Sequence, residues 1–212
     1  MVTTPGFPAS ATISASLLAA DQDNLLQEVA SLPSSVTSLH LDIEDGVQVS
    51  NFGLSMKSIM DLPLAWPKEV HLMVVHPEQF IARLQDANVT CFFINISTWG
   101  KRMIWNVSSK NIGLVINPSD DIQSNSQSIQ EASHILVMGV VPGRSGQSML
   151  PDTVARIQAI KTLNPTAKIT VDGGVNAQSA PELIQSGVNQ LVVGSYLFKS
   201  IDKKKAVEDL LG

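Results

Sequence analysis

Cysteine is almost absent from this chain, and long apolar runs and a basic leader are missing altogether. The single cysteine, Cys91, excludes a disulfide within one chain and is typical of a reducing compartment. No stretch approaches the roughly 18 consecutive apolar residues of a membrane span. The first residues, MVTTPGFPASATISASLL, have neither the basic nor the apolar segment of a secretory signal. These absences predict a soluble protein of the cytoplasm with no membrane partner.

An excess of positive charge is also lacking. Lys and Arg number 14 against 19 Asp and Glu, so the net charge is −5 and the pI is near 5.3. This balance disfavours nucleic acid as the main partner, and any anionic ligand must be captured locally. Hydrophobic residues make up 44% and charged residues 16% of the 212 residues, which suits a globular protein with a substantial core. We therefore expect a single domain over residues 1–212.

Short apolar or β-branched runs alternate with longer segments of helical spacing. Eight strands are predicted, over 11–17, 36–43, 69–75, 90–96, 111–117, 133–140, 168–173 and 190–195. Helices are predicted between them, among others over 21–31, 77–87, 150–163 and 177–186. Eight such units in about 200 residues predict an α/β fold, the (β/α)₈ TIM barrel. A doubly wound open sheet is the alternative, but it normally has fewer strands, and no GxGxxG follows the first strand.

The segment SLHLDIEDG, residues 38–46, places polar side chains inside an apolar strand. Side chains alternate along a strand, so His40, Asp42 and Glu44 share one face. His71 in the next strand and Asp172 at the end of strand 7 reach the same end of a parallel barrel. Two imidazoles and two carboxylates are ligand types for Zn²⁺, Fe²⁺ or Mn²⁺. From the residues alone, a metal site and a hydrogen-bonded structural cluster are equally open.

Glycines mark the ends of the last three strands. PGRSGQ follows strand 6, VDGG closes strand 7 and VVGS closes strand 8. Glycine lets the backbone approach a ligand closely, and the loops after strands 7 and 8 form the usual phosphate site of TIM barrels. Tight turns at strand ends would account for the same glycines, so this signal is moderate.

These motifs together resemble one family. ISASLLAAD, LHLDIEDG, EVHLM, VMGVVPGRSGQS, ITVDGGV and LVVGSYLF occur in the order found in ribulose-phosphate 3-epimerases, from about residue 12 to 199. The resemblance implies a phosphate-binding TIM barrel of the ribulose-phosphate type that holds one divalent metal ion (Zn, Fe or Mn). It also implies an isomerase of carbohydrate metabolism, in the pentose phosphate pathway, and commonly a homo-oligomer.

The resemblance also assigns roles by position. The metal ligands would be His40, Asp42, His71 and Asp172, and Asp42 and Asp172 would be the two acid/base catalysts. Residues beside the substrate and its phosphate would be Ser16, Met73, Met138, Gly143, Arg144, Gly146, Gly173, Gly174, Gly194 and Ser195. The implied reaction removes the proton next to a ketone from one face of the sugar and returns one on the other, through an enediolate.

The chain departs from the family at several of these positions. Glu44 stands where the family has a methionine, and it is expected to contact a substrate hydroxyl, alter the metal preference or point to the rim. Asn95 and Ser97 replace the histidine and glutamate that end strand 4 in the family. Arg144 and Ser145 change the phosphate loop, and VQVSN replaces the segment after strand 2. This pattern suits retained chemistry with an altered substrate.

Three functions follow as alternatives. The first is a metal-dependent 3-epimerase of a ketose phosphate, D-ribulose 5-phosphate to D-xylulose 5-phosphate by default and a hexulose 6-phosphate otherwise. The second is a sugar-phosphate-binding protein without turnover, suggested by Glu44, Asn95 and Ser97. The third, aldol chemistry or decarboxylation, is disfavoured because the D-x-K-x-x-D motif of the related decarboxylases is missing.

Overall fold

A closed parallel barrel forms the centre of the molecule. The computed structural model describes residues 11–102, 111–143 and 146–212. Its strands pair in chain order from β1 to β8, and β8 pairs back to β1. They are β1 Thr12–Ser16, β2 Val36–Glu44, β3 Lys68–Met73, β4 Val89–Asn95, β5 Ile112–Ile116, β6 His134–Met138, β7 Lys168–Asp172 and β8 Gln190–Val193. The predicted TIM barrel is confirmed, and each predicted strand is present.

Helices connect the strands on the outside. Within the described residues they are α1 Leu25–Ala30, α2 Met56–Met60, α3 Pro77–Leu84, α4 Ile96–Trp99, α5 Ser126–Glu131, α6 Thr153–Leu163, α7 Ala180–Gln185, α8 Ser195–Phe198 and α9 Lys203–Leu211. Pro77 occupies the first turn of α3, where its missing N–H costs nothing. The helix predicted after Asp21 instead begins as a 3₁₀ turn, Gln22–Asn24, because the Asp21 carboxylate accepts from the Asp23 N–H. None of the helices in the described ranges is long and apolar enough to cross a bilayer.

Side chains on the outer face of a strand pack against the helices, and those on the inner face fill the barrel interior. On β2, Leu39, Leu41 and Ile43 pack in the large apolar layer between strands and helices. His40 and Asp42 take the opposite face, toward the barrel interior. A smaller apolar cluster fills the interior on the side of β4 to β6, and consists of Cys91, Phe93, Val115, Leu136 and Met138. The interior therefore has an apolar wall on one side and polar side chains on the other.

A hydrogen-bonded chain of neutral side chains crosses the barrel interior. His134 Nε2 lies 2.8 Å from Thr170 Oγ1, which donates to Gln190 Oε1 at 3.0 Å. Gln190 Nε2 donates to Ser38 Oγ at 3.0 Å, and Ser38 Oγ donates to Ser14 Oγ at 2.9 Å. All five residues are buried. Because each has a partner, this chain fills the interior with polar groups without leaving them unsatisfied.

The close fit of the interior predicts a sharp effect of adding one methyl group at Gly113. A Cβ there would lie 2.4 Å from Phe93 Cδ1 on the neighbouring strand. We expect Gly113→Ala to lower the free energy of unfolding by about 1–3 kcal/mol through overpacking. Gly100→Ala is the matched control, because nothing lies within 4 Å of its added Cβ. Denaturant unfolding measures both, and equal stability of the two variants would contradict this packing.

The burial of His134 predicts a loss of stability in acid. Burial, and secondarily the charge of Lys168, lowers the pKa of His134 from its ordinary 6.5 to about 3. Its contribution is therefore complete above pH 6.5 and declines as the pH falls toward 3. At roughly 1.4 kcal/mol per pH unit, about 2 kcal/mol is lost by pH 5.

The comparison variant is His134→Gln, which keeps a donor for Thr170 but cannot take up a proton. The difference in unfolding free energy between wild type and variant should narrow between pH 7.5 and pH 5. A difference that stays constant over this range would mean that His134 is not held neutral in the folded protein.

Candidate functional site

A cavity of about 400 Å³ opens at the carboxyl ends of the strands. It gathers most residues that the sequence singled out, although they are spread from β1 to β8. Those lining it are Ser16, Asp42, Glu44, Met73, Met138, Gly143, Gly146, Asp172, Gly173, Gly174, Gly194 and Ser195. His40 lies beneath its floor with no exposed surface, and His71 borders a neighbouring cavity. Arg144 and Ser145 lie outside the described residues.

The four predicted ligands form one compact group. Each offers a nitrogen or oxygen, and these atoms all lie within 4.8 Å of one another. His40 Nε2 is 3.5 Å from Asp42 Oδ1 and 3.7 Å from Asp172 Oδ2. His71 Nδ1 is 3.3 Å from Asp42 Oδ1. The parallel pairing of β2 with β3 sets Asp42 directly beside His71, which produces this contact.

Three of the four imidazole nitrogens in this group are left without hydrogen bonds. Both ring nitrogens of His40 and Nδ1 of His71 are buried and have no hydrogen-bond partner among the described residues. Buried polar groups in native proteins are nearly always satisfied, so one nitrogen of each ring fits a ligand that accepts its lone pair. Two imidazole nitrogens and two carboxylates are a donor set for Zn²⁺, Fe²⁺ or Mn²⁺. The group could therefore hold one divalent metal ion.

The electrostatics of the cluster give its two carboxyl groups different pKa values. Burial acts to raise the pKa of Asp42, but the neighbouring His40 and His71 outweigh burial and lower it. Burial and the Asp42 charge raise the pKa of Asp172 to about 6. Burial lowers the pKa of His40, but Asp42 and Asp172 reverse this and raise it to about 9. Two carboxyl groups pushed apart in this way are typical of an acid/base pair.

The remaining walls are supplied by β1, β3 and β6. Ser16 Oγ, at the end of β1, donates to Asp42 Oδ2 at 3.3 Å and so helps to orient this carboxylate. Met73 and Met138 are both buried, and Met138 lies in register with Asp172 on the neighbouring strand. These methionines give the cavity two apolar, adaptable surfaces next to the carboxylates.

The glycine-rich loops meet on the side of β6 to β8. Gly173 and Gly174 have φ values of +103° and +72°, which side-chain-bearing residues rarely adopt. A Cβ on Gly174 would also lie 2.4 Å from the Met149 nitrogen. The loop after β6 reaches the start of α8, because a Cβ on Gly146 would lie 3.7 Å from Ser195 Oγ. The convergence expected for a phosphate site is therefore present.

Glu44 lies inside the cavity rather than at its rim. It is only 6% exposed, and both carboxylate oxygens lack a hydrogen-bond partner among the described residues. Burial and the neighbouring Asp42 raise the pKa of Glu44 to about 7, and Asn51 opposes this rise. The sequence left three possibilities open for Glu44: contact with a substrate hydroxyl, an altered metal preference, or a position at the rim. Its burial argues against the position at the rim.

The segment after β2 is tied across the cavity mouth, which the sequence did not predict. Asp45 Oδ1 accepts from the Val47 and Gln48 N–H groups, and its Oδ2 accepts from the Val75 N–H at 2.8 Å. Asn51 Nδ2 donates to Gly143 O at 3.2 Å. An Asp followed by glycine is a turn signal that could have identified this anchor.

Asn95 and Ser97 interact with each other at the start of α4. Asn95 Oδ1 accepts from the Ser97 N–H at 2.9 Å and caps α4. Asn95 also borders the neighbouring cavity of about 800 Å³, together with His71, Met73 and Asn117. The change from the family pattern at strand 4 therefore accompanies open space beside the site.

Comparison with known proteins agrees with this architecture. Residues 12–198 match the ribulose-phosphate 3 epimerase family. A Helicobacter pylori (strain J99) protein named ribulose-phosphate 3-epimerase is 32% identical over 209 residues, 93% of this chain and 95% of that protein. A Bacillus subtilis protein of the same name is 28% identical over 216 residues, 94% and 98% of the two chains.

A solved structure supports the fold alone. A mutant tryptophan synthase alpha-subunit from Pyrococcus furiosus superposes with a TM-score of 0.69 and covers 96% of this chain and 98% of its own. Its sequence identity is 14%. The two proteins share the barrel fold, and this similarity says nothing about the side chains of the site.

The ligand group predicts that His71 contributes to metal affinity. Replacing a residue that only hydrogen-bonds to a metal ligand typically weakens metal binding by roughly 10–100-fold. We expect His71→Gln, which removes a ligand itself, to weaken binding of Zn²⁺ or Mn²⁺ by more than this. His76→Gln is the matched control, because the His76 side chain is 65% exposed and pairs with Glu78. Metal titration calorimetry and metal content after dialysis measure the effect, and equal affinities for the two variants would contradict the assignment.

Proposed function

The chain belongs to the ribulose-phosphate 3-epimerase family, and we propose that it interconverts D-ribulose 5-phosphate and D-xylulose 5-phosphate. It is a carbohydrate epimerase, an enzyme of the isomerase class. One observation carries the proposal on the substrate and mechanism: the buried Asp42 carboxylate and the Asp172 carboxylate, which is 16% exposed, border one cavity and approach the same nitrogen of His40.

The proposed reaction moves one proton off a carbon and another onto it. One carboxylate takes the proton from C3 of the ketose, and the electron pair delocalises onto the neighbouring carbonyl as an enediolate. The other carboxylate, on the opposite face, gives a proton to C3 and inverts its configuration. Asp42 and Asp172 exchange these roles when the reaction runs backward. The lowered pKa of Asp42 and the raised pKa of Asp172 support one group acting as a base while the other acts as an acid.

His40, Asp42, His71 and Asp172 are the residues that would hold a divalent metal ion. Such an ion supplies a Lewis acid beside the carbonyl of the substrate. Ser16 orients Asp42 through its hydrogen bond. Met73 and Met138 are buried and would form apolar walls beside the reacting carbon.

The phosphate group of the substrate is assigned to the glycine-rich side of the cavity. This side of the cavity is lined by residues without bulky side chains, where backbone N–H groups would bind the phosphate: Gly143, Gly146, Gly173, Gly174, Gly194 and Ser195. Arg144 belongs to the same loop and would add a cation there. This placement agrees with the usual phosphate position after β7 and β8 of a TIM barrel.

A hexulose 6-phosphate is the second candidate substrate. The neighbouring cavity of about 800 Å³ borders Met73 and Gly143, as the first cavity does. The additional carbon of a hexulose 6-phosphate lies between C3 and the phosphate, and this neighbouring cavity would give it room beside Gly143. We further propose one domain over residues 1–212, acting as a homo-oligomer in the cytoplasm, where the free thiol of Cys91 would stay reduced.

Exchange of the C3 proton with solvent deuterium tests the proposal. With Zn²⁺, Mn²⁺ or Fe²⁺ added, the protein should incorporate deuterium into D-ribulose 5-phosphate. Asp42→Asn and Asp172→Asn should each lower epimerisation by about 10²–10⁴-fold, the contribution of a general acid or base. Asp61→Asn is the control, because this carboxylate is half exposed and pairs with Lys57.

The other candidates give different results in the same experiment. Exchange with D-fructose 6-phosphate but not with the pentulose would identify a hexulose substrate. Binding of either sugar phosphate without exchange under any metal would indicate a binding protein. Full activity of either Asn variant would contradict the two-carboxylate mechanism.

A further inference from the structure

Glu44 is a buried carboxylate that the proposed reaction does not use. It is the last residue of β2, two residues after Asp42 and on the same face of the strand, and its side chain borders the cavity. Its residue is 6% exposed, and neither oxygen has a hydrogen-bond partner among the described residues. The Asn51 amide is near enough to lower the pKa of Glu44, but the hydrogen bond that it makes is to Gly143 O, at 3.2 Å.

An unsatisfied carboxylate in this position points to a ligand. Burying such a group without donors is unfavourable, and native proteins retain few of them. The metal-type group of four residues, whose donor atoms lie within 4.8 Å of one another, does not include Glu44. The missing donors are therefore best supplied by a molecule that enters the cavity next to Asp42.

The order of strands around the barrel tells which end of that molecule Glu44 meets. The glycine-rich loops follow β6, β7 and β8, whereas Glu44 is on β2 and lies in register with Met73 of β3. In a closed ring of eight strands, β2 and β3 lie across from β6 and β7. A ketose phosphate held by its phosphate on the glycine side therefore presents its opposite end, the terminal hydroxymethyl group, to Glu44.

We propose that Glu44 is a specificity-determining residue that accepts a hydrogen bond from the hydroxyl group at the end of the ketose remote from the phosphate. This inference rests on the proposed function, because the phosphate and the two aspartates set the orientation of the substrate. A sugar that lacks this hydroxyl group leaves Glu44 without a hydrogen bond, and it is therefore bound and converted less well. The site selects for a terminal hydroxymethyl group and against a terminal methyl group.

A matched pair of sugars isolates this contact. D-Xylulose 5-phosphate and 1-deoxy-D-xylulose 5-phosphate differ only in the terminal hydroxyl group, and both have an exchangeable proton at C3. We expect wild-type protein to favour the hydroxylated sugar by on the order of 10²-fold in kcat/KM for deuterium exchange, the effect of one hydrogen bond to a charged group.

Two substitutions of Glu44 complete the design. Glu44→Met removes the acceptor, and the ratio of kcat/KM for the two sugars should fall to within about threefold of 1. Glu44→Gln retains one acceptor oxygen and should give an intermediate ratio. Glu78→Gln, an exposed carboxylate on α3, should keep the wild-type ratio. The metal content of each variant is measured in parallel, so that a loss of metal is recognised directly.

The outcomes separate this inference from the proposed function. If Glu44→Met slows exchange of both sugars by the same factor, Glu44 has a structural role and the inference is overturned. If wild-type protein exchanges neither sugar, the epimerase proposal fails, and the affinities of the pair, measured by calorimetry, decide about Glu44. Tighter binding of the hydroxylated sugar that Glu44→Met abolishes supports the inference, and equal affinities in wild type overturn it.

Discussion

The contact between two imidazoles and two carboxylates in a space almost closed to water is the constraint on which this structure depends. His40 Nε2 lies 3.5 Å and 3.7 Å from carboxylate oxygens of Asp42 and Asp172, and His40 itself has no exposed surface. Charged and polar groups of this kind are costly to bury unless they are paired or ligated. The strands that carry them must therefore be held in place by other parts of the molecule. Leu39, Leu41 and Ile43 do this on β2, because they anchor its opposite face in the apolar layer beneath the helices.

The polar groups of the barrel interior form two sets, one fully hydrogen-bonded and one that opens to the cavity. The chain of hydrogen bonds from His134 to Ser14 joins neutral groups that all have partners, and the burial of His134 keeps its imidazole uncharged. The cluster around His40 has the opposite character, since both ring nitrogens of His40 lack a hydrogen bond within the described residues and the carboxyl groups have widely separated pKa values. Unsatisfied polar groups are thus concentrated in the half that opens to the cavity. This distribution is what a site needs if it is to bind a metal ion and move protons without weakening the fold.

The cavity is also divided around its circumference. Backbone-rich loops with glycines line the side of β6 to β8, where a phosphate would meet N–H groups. Side chains with oxygen acceptors, above all Glu44, stand on the side of β2 and β3, and a further cavity with Asn95 and Asn117 adjoins them. The segment held by Asp45 and Asn51 spans from one side to the other. Two of the departures from the family pattern, Glu44 and Asn95, lie on β2 and β4, away from the strands that carry the glycine loops, whereas Arg144 and Ser145 belong to the loop after β6.

The sequence by itself determined the barrel and the composition of its site. Alternation of strand and helix is a local signal, and the two-residue period of HLDIE already placed His40, Asp42 and Glu44 on one face. The distances within the ligand group, the burial of Glu44 without donors and the anchoring of the segment after β2 came only from the tertiary structure. The physical reason is that strand patterns fix which face a side chain takes, whereas contacts between residues as far apart as Asp42 and Asp172 depend on how the sheet closes. Closure of the ring brings β2 and β7 to opposite sides of one small volume, and no local pattern contains that information.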